Sequence, residues 1–454
     1  MAKLDRDSGF ESKAIGFFAE LIGVSAVMFG LGSLRAASPV VCWGVVAAGI
    51  AAAAAGRPLR KGRAAVPPAL ERFLFTSEVI LITVFFTIAA DRLLGAAVLK
   101  GKKELIFRAG SSATYHTREF SYKAEINNLG FRDRDYAPGR RAGFRVLTIG
   151  DSFTFGWGNR LEDVWSKVLE RRLRSDGADV EIMNLGQGGQ FPDSYAAIAE
   201  KAVPALKPDL IIVAVLQGDD LYQTLQAAEG AAARKSFKQR IAPVLSLMYP
   251  NLVMLARLRR PDSIDINTNW RETAAAMSKN FSPEQRARFS RIDPEVKEMF
   301  AAGDLNPGLV DLAVKSPRLF LEMENLKSPR VAKGVARMAR DFSEIKSLGA
   351  RFHARTIIVS VPYRAYVCKP GLQQLARIGF DTDAALLSSR AADEAIRAAA
   401  RAAGLEFHTV TAAFRTACDA EPNLYYPFDG HFTPAGNRLF ADTVYPMIKR
   451  DIKR

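Results

Sequence analysis

Histidine and cysteine are both scarce in this sequence. Its 454 residues include only four histidines and three cysteines, and the cysteines show no spacing typical of zinc ligands. We therefore expect no metal centre. A histidine that acts as a general base can only be His116, His353, His408 or His431.

Charged residues are nearly absent from three stretches near the start. The segment between Lys13 and Arg35 carries one acidic residue, residues 36–56 carry no charge, and residues 73–99 carry three charges. A membrane-spanning helix needs about 20 mostly apolar residues. The pattern predicts a membrane anchor over residues 1–100 with about three transmembrane helices. The alternative for each stretch is a buried helix of a soluble protein.

Basic residues flank these stretches unevenly. Three precede the first stretch and five lie in residues 57–72, whereas the loop between the first two stretches holds only Arg35. Because basic loops stay in the cytoplasm, three spans predict a multi-pass protein of the inner (plasma) membrane. Its main domain would then lie on the periplasmic, extracytoplasmic side. Two spans would leave that domain in the cytoplasm.

The flanking residues account for part of the formal net charge of +15. The rest is typical of an ordinary solvated surface, and a basic face for anionic lipid or an acidic glycan is the alternative. No nucleic-acid-binding motif is present, so we expect no nucleic-acid partner.

Two of the three cysteines lie in the later part of the chain. Cys368 and Cys418 each follow a predicted strand, whereas Cys42 lies in the second apolar stretch. We expect a disulfide between Cys368 and Cys418, which an oxidising compartment permits. Two separate thiols are the alternative.

After a connector at residues 101–143, apolar strands alternate with helices. The predicted strands are short apolar runs, at residues 144–150, 180–186, 209–216, 355–362 and 405–410. Such a series predicts a parallel sheet covered by helices on both faces. We therefore expect an α/β fold, with a flavodoxin-like three-layer α/β/α domain over residues 144–454. Its five-stranded parallel sheet would be preceded by the N-terminal transmembrane helices.

A segment at about residues 222–349 interrupts this alternation between the third and fourth strands. Its sequence is helical in pattern, with proline and glycine breaks and many basic residues. The segment is either a packing insertion at one end of the sheet or a cap that shapes access of the substrate.

The first predicted strand ends in GDSFTFGWG, which places Ser152 on a tight turn at the carboxyl end of the strand. Reacting groups lie at such ends in parallel sheets, and a serine nucleophile needs a base. His431 lies in a loop after the last predicted strand, with Asp429 two residues before it. The pattern predicts Ser152 as nucleophile, His431 as general base and Asp429 as the group that orients the imidazole.

Four blocks in this order resemble the SGNH/GDSL hydrolase superfamily, namely GDS at 150–152, NLGQGG at 184–189, QGDD at 217–220 and DGH at 429–431. The stretch NNLGFR at 127–132 also resembles a lead-in of envelope-associated members. The resemblance implies an oxyanion hole formed by the backbone N–H groups of Ser152 and Gly189, with the residue at position 219 as a further donor. It also implies a Ser-His-Asp acyl-enzyme mechanism that requires no metal or organic cofactor.

Two positions depart from the pattern of the superfamily. The third block usually supplies an asparagine side-chain N–H to the oxyanion, and Asp219 stands there instead. An ionised carboxylate only accepts hydrogen bonds. Either Asp219 is protonated, or another donor such as Gln187 or Gln217 replaces it, or activity is low or absent. The second departure is the single residue between Asp429 and His431, where two are common.

The leading prediction is a membrane-embedded serine esterase or deacetylase that acts on an O-acylated envelope glycan or lipid. One alternative is an O-acyltransferase of a cell-envelope polysaccharide that works with a membrane partner. Another is a non-catalytic glycan-binding module on a degenerate SGNH fold. The aspartate at position 219 is compatible with the non-catalytic alternative, whereas the intact Ser152, Asp429 and His431 favour an enzyme.

Overall fold

The computed structural model describes residues 68–97, 105–136, 143–232, 245–258, 263–420 and 422–452, with a few single residues before them. The chain divides into two compact units. The first comprises Met1–Gly101 with Phe237–Ala256, and the second comprises Lys102–Ser236 with Arg257–Arg454. The β-sheets of the described residues lie in the second unit.

The strands are, in chain order, β1 (Ser112–His116), β2 (Ser121–Glu125), β3 (Phe144–Gly150), β4 (Val180–Gly186), β5 (Leu210–Leu216), β6 (Ser263–Asp265), β7 (Arg355–Val361) and β8 (Glu406–Thr409). The helices are α1 (Pro68–Ala97), α2 (Ser152–Phe155), α3 (Trp165–Ser175), α4 (Pro192–Leu206), α5 (Asp219–Ala232), α6 (Pro250–Leu258), α7 (Ile266–Asn280), α8 (Pro283–Arg291), α9 (Pro294–Ala302), α10 (Pro307–Lys315), α11 (Leu319–Met323), α12 (Pro329–Arg351), α13 (Lys369–Ile378), α14 (Ala391–Ala402), α15 (Thr411–Ala420) and α16 (Pro434–Ile452). Many of them begin at proline, because the first helical position needs no backbone N–H.

In the first unit, α1 covers most of the third apolar stretch, residues 73–99. Its Asp91 carboxylate accepts hydrogen bonds from the backbone N–H of Leu252 (2.7 Å) and from the side chain of Asn251 (2.9 Å), at the start of α6. The unpaired N–H groups and the dipole of a helix N-terminus stabilise such a charge. This helix therefore carries a buried carboxylate that is bound by another part of the same unit.

Across the residues that the structure describes, none of the helices combines the length and the apolar character that crossing a membrane requires. This finding contradicts the predicted N-terminal transmembrane helices. It also contradicts the predicted multi-pass location in the inner membrane with the main domain on the periplasmic side. The first two apolar stretches, apart from single residues, lie outside the described residues.

The main sheet has the strand order β4-β3-β5-β7-β8, and all its neighbouring strands are parallel. Every residue of β5, the central strand, is buried. Such continuous burial is expected where helices cover both faces of a parallel sheet. The predicted five-stranded parallel sheet of an α/β fold is confirmed.

The direction of the chain across this sheet reverses after β4. Because crossovers between parallel strands are right-handed, the reversal places α3 on one face and α4, α12 and α14 on the other. The packing agrees with this, since α16 lies against α3, and α12 lies against α4 and α14. The carboxyl ends of β3 and β5 meet at the reversal point, where open α/β sheets bind their ligands.

A smaller sheet has the order β2-β1-β6. Its strands β1 and β2 form an antiparallel hairpin in which Tyr115 pairs with Tyr122, and their rings stack at 4.6 Å. Strand β6 pairs with β1 in parallel and leads into α7. The segment predicted as a connector thus contributes a hairpin, and the segment 222–349 adds a strand to it.

Cys368 and Cys418 form a disulfide. Both residues are buried, at the start of α13 and within α15. The bridge closes a loop of 50 residues, and a cross-link of that size mainly reduces the conformational entropy of the unfolded chain.

Replacing both cysteines (Cys368→Ala with Cys418→Ala) should lower the free energy of unfolding by about 3–4 kcal/mol. Urea unfolding followed by circular dichroism measures this change. The parent protein under reducing conditions is the control and should lose a similar amount. An unchanged unfolding midpoint in the double variant would contradict a structural role for the bridge.

Candidate active site

Ser152 is the first residue of α2, the short helix that follows β3 directly. The helix begins where the Asp151 side chain accepts a hydrogen bond from the Phe153 N–H (2.9 Å), which caps it. It ends at Gly156, which adopts the left-handed conformation that favours glycine. The strand, the cap and the turn together hold the Ser152 hydroxyl at the carboxyl edge of the sheet.

Ser152, His431 and Asp429 form a hydrogen-bonded chain. His431 Nε2 lies 2.6 Å from Ser152 Oγ, and His431 Nδ1 lies 2.5 Å from Asp429 Oδ1. When Nδ1 donates its proton to the carboxylate, Nε2 is left to accept the serine proton. The structure therefore brings together the three residues that the sequence indicated.

Two aromatic rings enclose the imidazole. The ring centroids of Phe153 and Trp157 lie 4.7 Å and 5.7 Å from that of His431. The Trp157 indole N–H also donates to Asp429 Oδ2 (3.2 Å), so both carboxylate oxygens of Asp429 have partners. The Asp429 side chain is only 4% exposed, and a low local dielectric strengthens the hydrogen bonds that it accepts.

The single residue between Asp429 and His431 is accommodated by the backbone of Gly430. Its φ of 87° lies in the left-handed region, which other residues rarely adopt. A Cβ at this position would lie 2.8 Å from Arg364 Cζ. The His431 N–H also donates to Asp429 Oδ1 (3.3 Å), which closes the turn. The unusual spacing is therefore compatible with an Asp–His hydrogen bond.

Two charged side chains bind the backbone of the loop that carries Asp429. The fully buried Arg364 guanidinium donates to the carbonyl groups of Pro427 and Phe428, the latter at 3.0 Å. The Glu119 carboxylate accepts the N–H groups of Phe428 (2.8 Å) and Asp429 (2.7 Å). Burial raises the pKa of Glu119, and the neighbouring charge of Asp429 adds to this effect.

A third charged side chain binds the turn that follows Ser152. The buried Arg132 guanidinium donates to the carbonyl oxygens of Phe155 (2.9 Å), Gly156 (2.8 Å) and Asn159 (2.6 Å). These acceptors include the C-terminal end of α2, where carbonyl groups lack partners within the helix. Arg132 thus fixes the turn from behind the nucleophile.

Sequence reasoning missed all three of these residues as parts of the site. Glu119 lies between β1 and β2, and Arg364 lies in the 3₁₀ turn Arg364–Tyr366 after β7. Neither position carries a local signal. Arg132 closes the stretch NNLGFR, whose resemblance to a lead-in was the only available indication of its role.

The expected oxyanion donors lie at the neighbouring strand ends. Gly189 follows β4 with φ 69°, and Asp219 is the first residue of α5, directly after β5. Within the described residues, neither the Ser152 N–H nor the Gly189 N–H is bound to a protein acceptor. Gln217 is not available as a replacement donor, because its amide group donates to Asp393 (2.8 Å) and to a threonine hydroxyl.

Three carboxyl groups lie together at this edge of the sheet, of which Asp151 and Asp220 are buried and Asp219 is half-buried. Burial raises the pKa of Asp151 to about 7. It also raises the pKa of Asp219 above the usual range, although a hydrogen bond from Gln223 (2.6 Å) acts in the opposite direction. Burial and the nearby Asp151 and Asp219 raise the pKa of Asp220. Of these three groups, Asp151 and Asp219 line the same cavity as Ser152.

A cavity of about 460 Å³ opens onto Ser152, His431, Gly189 and Asp219. The segment 222–349 contributes part of its lining, through Gln223, Asn306, Gly308, Leu309, Leu312 and Phe320. This volume is within the range of small-molecule sites. The segment therefore shapes the space in front of the serine.

The other histidines have partners elsewhere. His116 Nδ1 lies 2.7 Å from Ser121 Oγ, and His408 Nε2 lies 2.8 Å from a carboxylate oxygen of Glu406. His353 lies in the turn before β7, at φ 59°. None of the three lines the cavity. Among the described residues, no cluster of acidic, histidine or cysteine side chains is suited to hold a metal ion.

No family model matches this chain, and no curated protein is detectably similar to it in sequence. Solved structures do match it. TesA has 11% identity and a TM-score of 0.34, and the match covers 68% of this chain and 99% of TesA. The psychrotrophic esterase EstA from Pseudoalteromonas sp. has 9% identity and a TM-score of 0.32, and the match covers 68% of this chain and 99% of EstA. A catalytic mutant of Axe2, an acetylxylan esterase from Geobacillus stearothermophilus, has 12% identity and a TM-score of 0.32, and the match covers 69% of this chain and 95% of Axe2.

The chain resembles the SGNH/GDSL hydrolases in the order of its four blocks and in their common place at the carboxyl edge of the sheet. At such low identities and TM-scores the solved structures named above assign no activity to this chain. The geometry around Ser152 is the basis for its chemistry.

Replacing Glu119 by glutamine should lower kcat about tenfold with little change in KM. The new side-chain NH₂ group would face a backbone N–H of the Asp429 loop, so a repulsion between two donors would replace a hydrogen bond. A tenfold loss in kcat corresponds to about 1.4 kcal/mol in the activation free energy. Steady-state kinetics on a small ester measure the effect. Glu125→Gln is the matched control, because that exposed side chain on β2 pairs only with Lys123. Equal kcat values for Glu119→Gln and the parent would contradict the role of Glu119.

Proposed function

We propose that this protein is an ester hydrolase of the serine type that acts on O-acylated glycans or lipids. The observation that carries the proposal is the chain of hydrogen bonds from Ser152 through His431 to Asp429 at the wall of a cavity. A serine, a histidine and a buried carboxylate in this geometry form the arrangement that activates a hydroxyl for acyl transfer.

In the first step Ser152 Oγ attacks the ester carbonyl carbon while His431 Nε2 takes the hydroxyl proton. Asp429 holds the imidazole in the correct tautomer and stabilises its charged form. The tetrahedral intermediate collapses, the bond to the alcohol breaks, and His431 returns the proton to the leaving alcohol. Water then attacks the acyl-enzyme by the same route and releases the carboxylic acid.

The developing oxyanion is stabilised by the backbone N–H groups of Ser152 and Gly189. We assign the third hydrogen bond to a protonated Asp219. Gln223 donates to one oxygen of this carboxyl group, so the other oxygen can carry the proton towards the cavity. The raised pKa of Asp219 supports this role, because a neutral carboxyl group donates where a carboxylate would repel.

Replacing Ser152 by alanine should lower ester turnover by at least about 1,000-fold, because a triad without its nucleophile keeps only the contribution of binding and the oxyanion hole. Hydrolysis of 4-nitrophenyl acetate and butyrate by the purified chain measures this. Ser347→Ala is the control, since that hydroxyl bonds only within its own helix. Full turnover by Ser152→Ala would contradict the proposal, and turnover that requires a glycan acceptor would indicate a transferase instead.

If Asp219 donates as an acid, activity should fall as the pH rises through its raised pKa, because deprotonation removes the donor and adds a repulsive charge. In Asp219→Asn the amide donates at every pH, so this decrease should disappear. The rate at pH values above the raised pKa of Asp219 should then rise about 10- to 100-fold. The pH profile of kcat/KM measures both effects.

The control for this experiment is Asp193→Asn at the exposed start of α4, which should keep the parent profile. A slower Asp219→Asn enzyme that keeps the decrease with rising pH would show that Asp219 does not act as a donor.

A further inference from the structure

The lining of the cavity combines ionisable and apolar side chains. The acidic and histidine side chains among the lining residues are Asp151, Asp219, Asp429 and His431. The remaining lining is largely apolar. We define the apolar wall as Leu216, Leu309, Leu312, Phe320, Tyr363 and Phe380. None of the lining residues contributed by the segment 222–349 carries a charge.

The aromatic members of the apolar wall pack against one another. The rings of Phe320 and Tyr363 stack at 5.2 Å with an interplanar angle of 16°, and Phe380 meets Phe320 edge-on at 5.2 Å. All three side chains are almost completely buried. Packing of this kind fixes the shape of the wall before a ligand arrives, so little entropy is lost when a ligand binds.

The volume of the cavity is much larger than an acetyl group needs. If each heavy group takes the space of a water molecule, about 30 Å³, an acetyl group fills about 60 Å³. A chain of eight carbons fills about 240 Å³ by the same measure. An acetyl group would fill only a small part of the 460 Å³, so the apolar lining beyond it would stay in contact with water wherever the alcohol part of the ester did not cover it, which is unfavourable.

We propose that the apolar wall binds the acyl chain of the substrate, and that the protein prefers esters of medium-chain fatty acids, of about six to ten carbons, over acetyl esters. This inference rests on the proposed function, because the acyl carbon has to reach Ser152 Oγ. The chain then extends from the acyl carbon along the apolar wall. Hydrolysis breaks the ester bond, takes up one water and releases the fatty acid and the alcohol.

A series of 4-nitrophenyl esters with acyl chains of two to twelve carbons tests the preference. Burial of each methylene group should raise kcat/KM about two- to fourfold until the pocket is filled at about eight carbons. Longer chains should bring no further gain. A Ser152→Ala sample for each ester corrects for hydrolysis that does not involve the site.

Leu312→Phe places a larger ring into the pocket from a half-buried position on α10. It should lower the ratio of kcat/KM for the octanoyl ester to kcat/KM for the acetyl ester at least tenfold, because overfilling a pocket excludes the longer ligand first. Leu326→Phe is the matched control. That residue is half-buried in the same segment and does not line the cavity.

The outcomes separate this inference from the proposed function. Turnover that depends on Ser152 but is fastest for the acetyl ester overturns the acyl-chain pocket alone. Absence of Ser152-dependent turnover for every ester overturns both. If Leu312→Phe loses activity on all esters, the same series of esters is measured with Leu312→Ala, which enlarges the pocket. A shift of its optimum to longer chains supports the pocket, and an unchanged optimum contradicts it.

Discussion

The hydrogen bond between His431 and Ser152 joins two positions that lie 279 residues apart in the chain. The sheet fixes Ser152, because β3 is buried apart from its first residue and the residues Phe153–Phe155 of the capped turn are buried. His431 lies instead in an irregular loop between the last 3₁₀ turn and α16. The loop makes only a few backbone hydrogen bonds within itself, such as that from the Tyr426 N–H to the His431 carbonyl (2.9 Å), whereas ordering a segment costs roughly 1–2 kcal/mol per residue. The contacts that hold this loop therefore determine whether the serine has a base.

Those contacts come from several parts of the fold. Arg364 donates to carbonyl groups of the loop, and Glu119 accepts two of its N–H groups. Trp157 donates to the carboxylate oxygen of Asp429 that does not face His431. Donors and acceptors that would otherwise be buried without partners are satisfied in this way. The hairpin of β1 and β2 is thus part of the site, since it supplies Glu119, although it lies outside the α/β sheet.

The electrostatics of the site are set by burial. The buried Asp151 and Asp220 and the half-buried Asp219 lie in one short stretch of the sheet edge, and desolvation raises the pKa of each carboxyl group. The proposed role of Asp219 as a donor depends on this effect, because only a neutral carboxyl group can donate a hydrogen bond as an amide would.

Local signals in the sequence predicted the strands of the main sheet and brought Ser152, His431 and Asp429 to attention. Continuous apolar runs identify buried parallel strands, and strand-end loops identify the reactive edge. Glu119 and Arg364 had no such signal, because their roles arise from contacts between distant segments. The membrane prediction was wrong, since none of the described helices has the length and apolar character to cross a membrane. In the third apolar stretch, α1 places Asp91 against the start of α6.

The central claim is that Ser152 is a nucleophile activated by His431. A fluorophosphonate probe measures this most directly, because it forms a covalent bond only with an activated serine. Digestion and mass spectrometry of the labelled protein should find the adduct on the peptide that contains Ser152, and His431→Ala should abolish it. An adduct on another residue, no adduct at all, or undiminished labelling of His431→Ala would contradict the account.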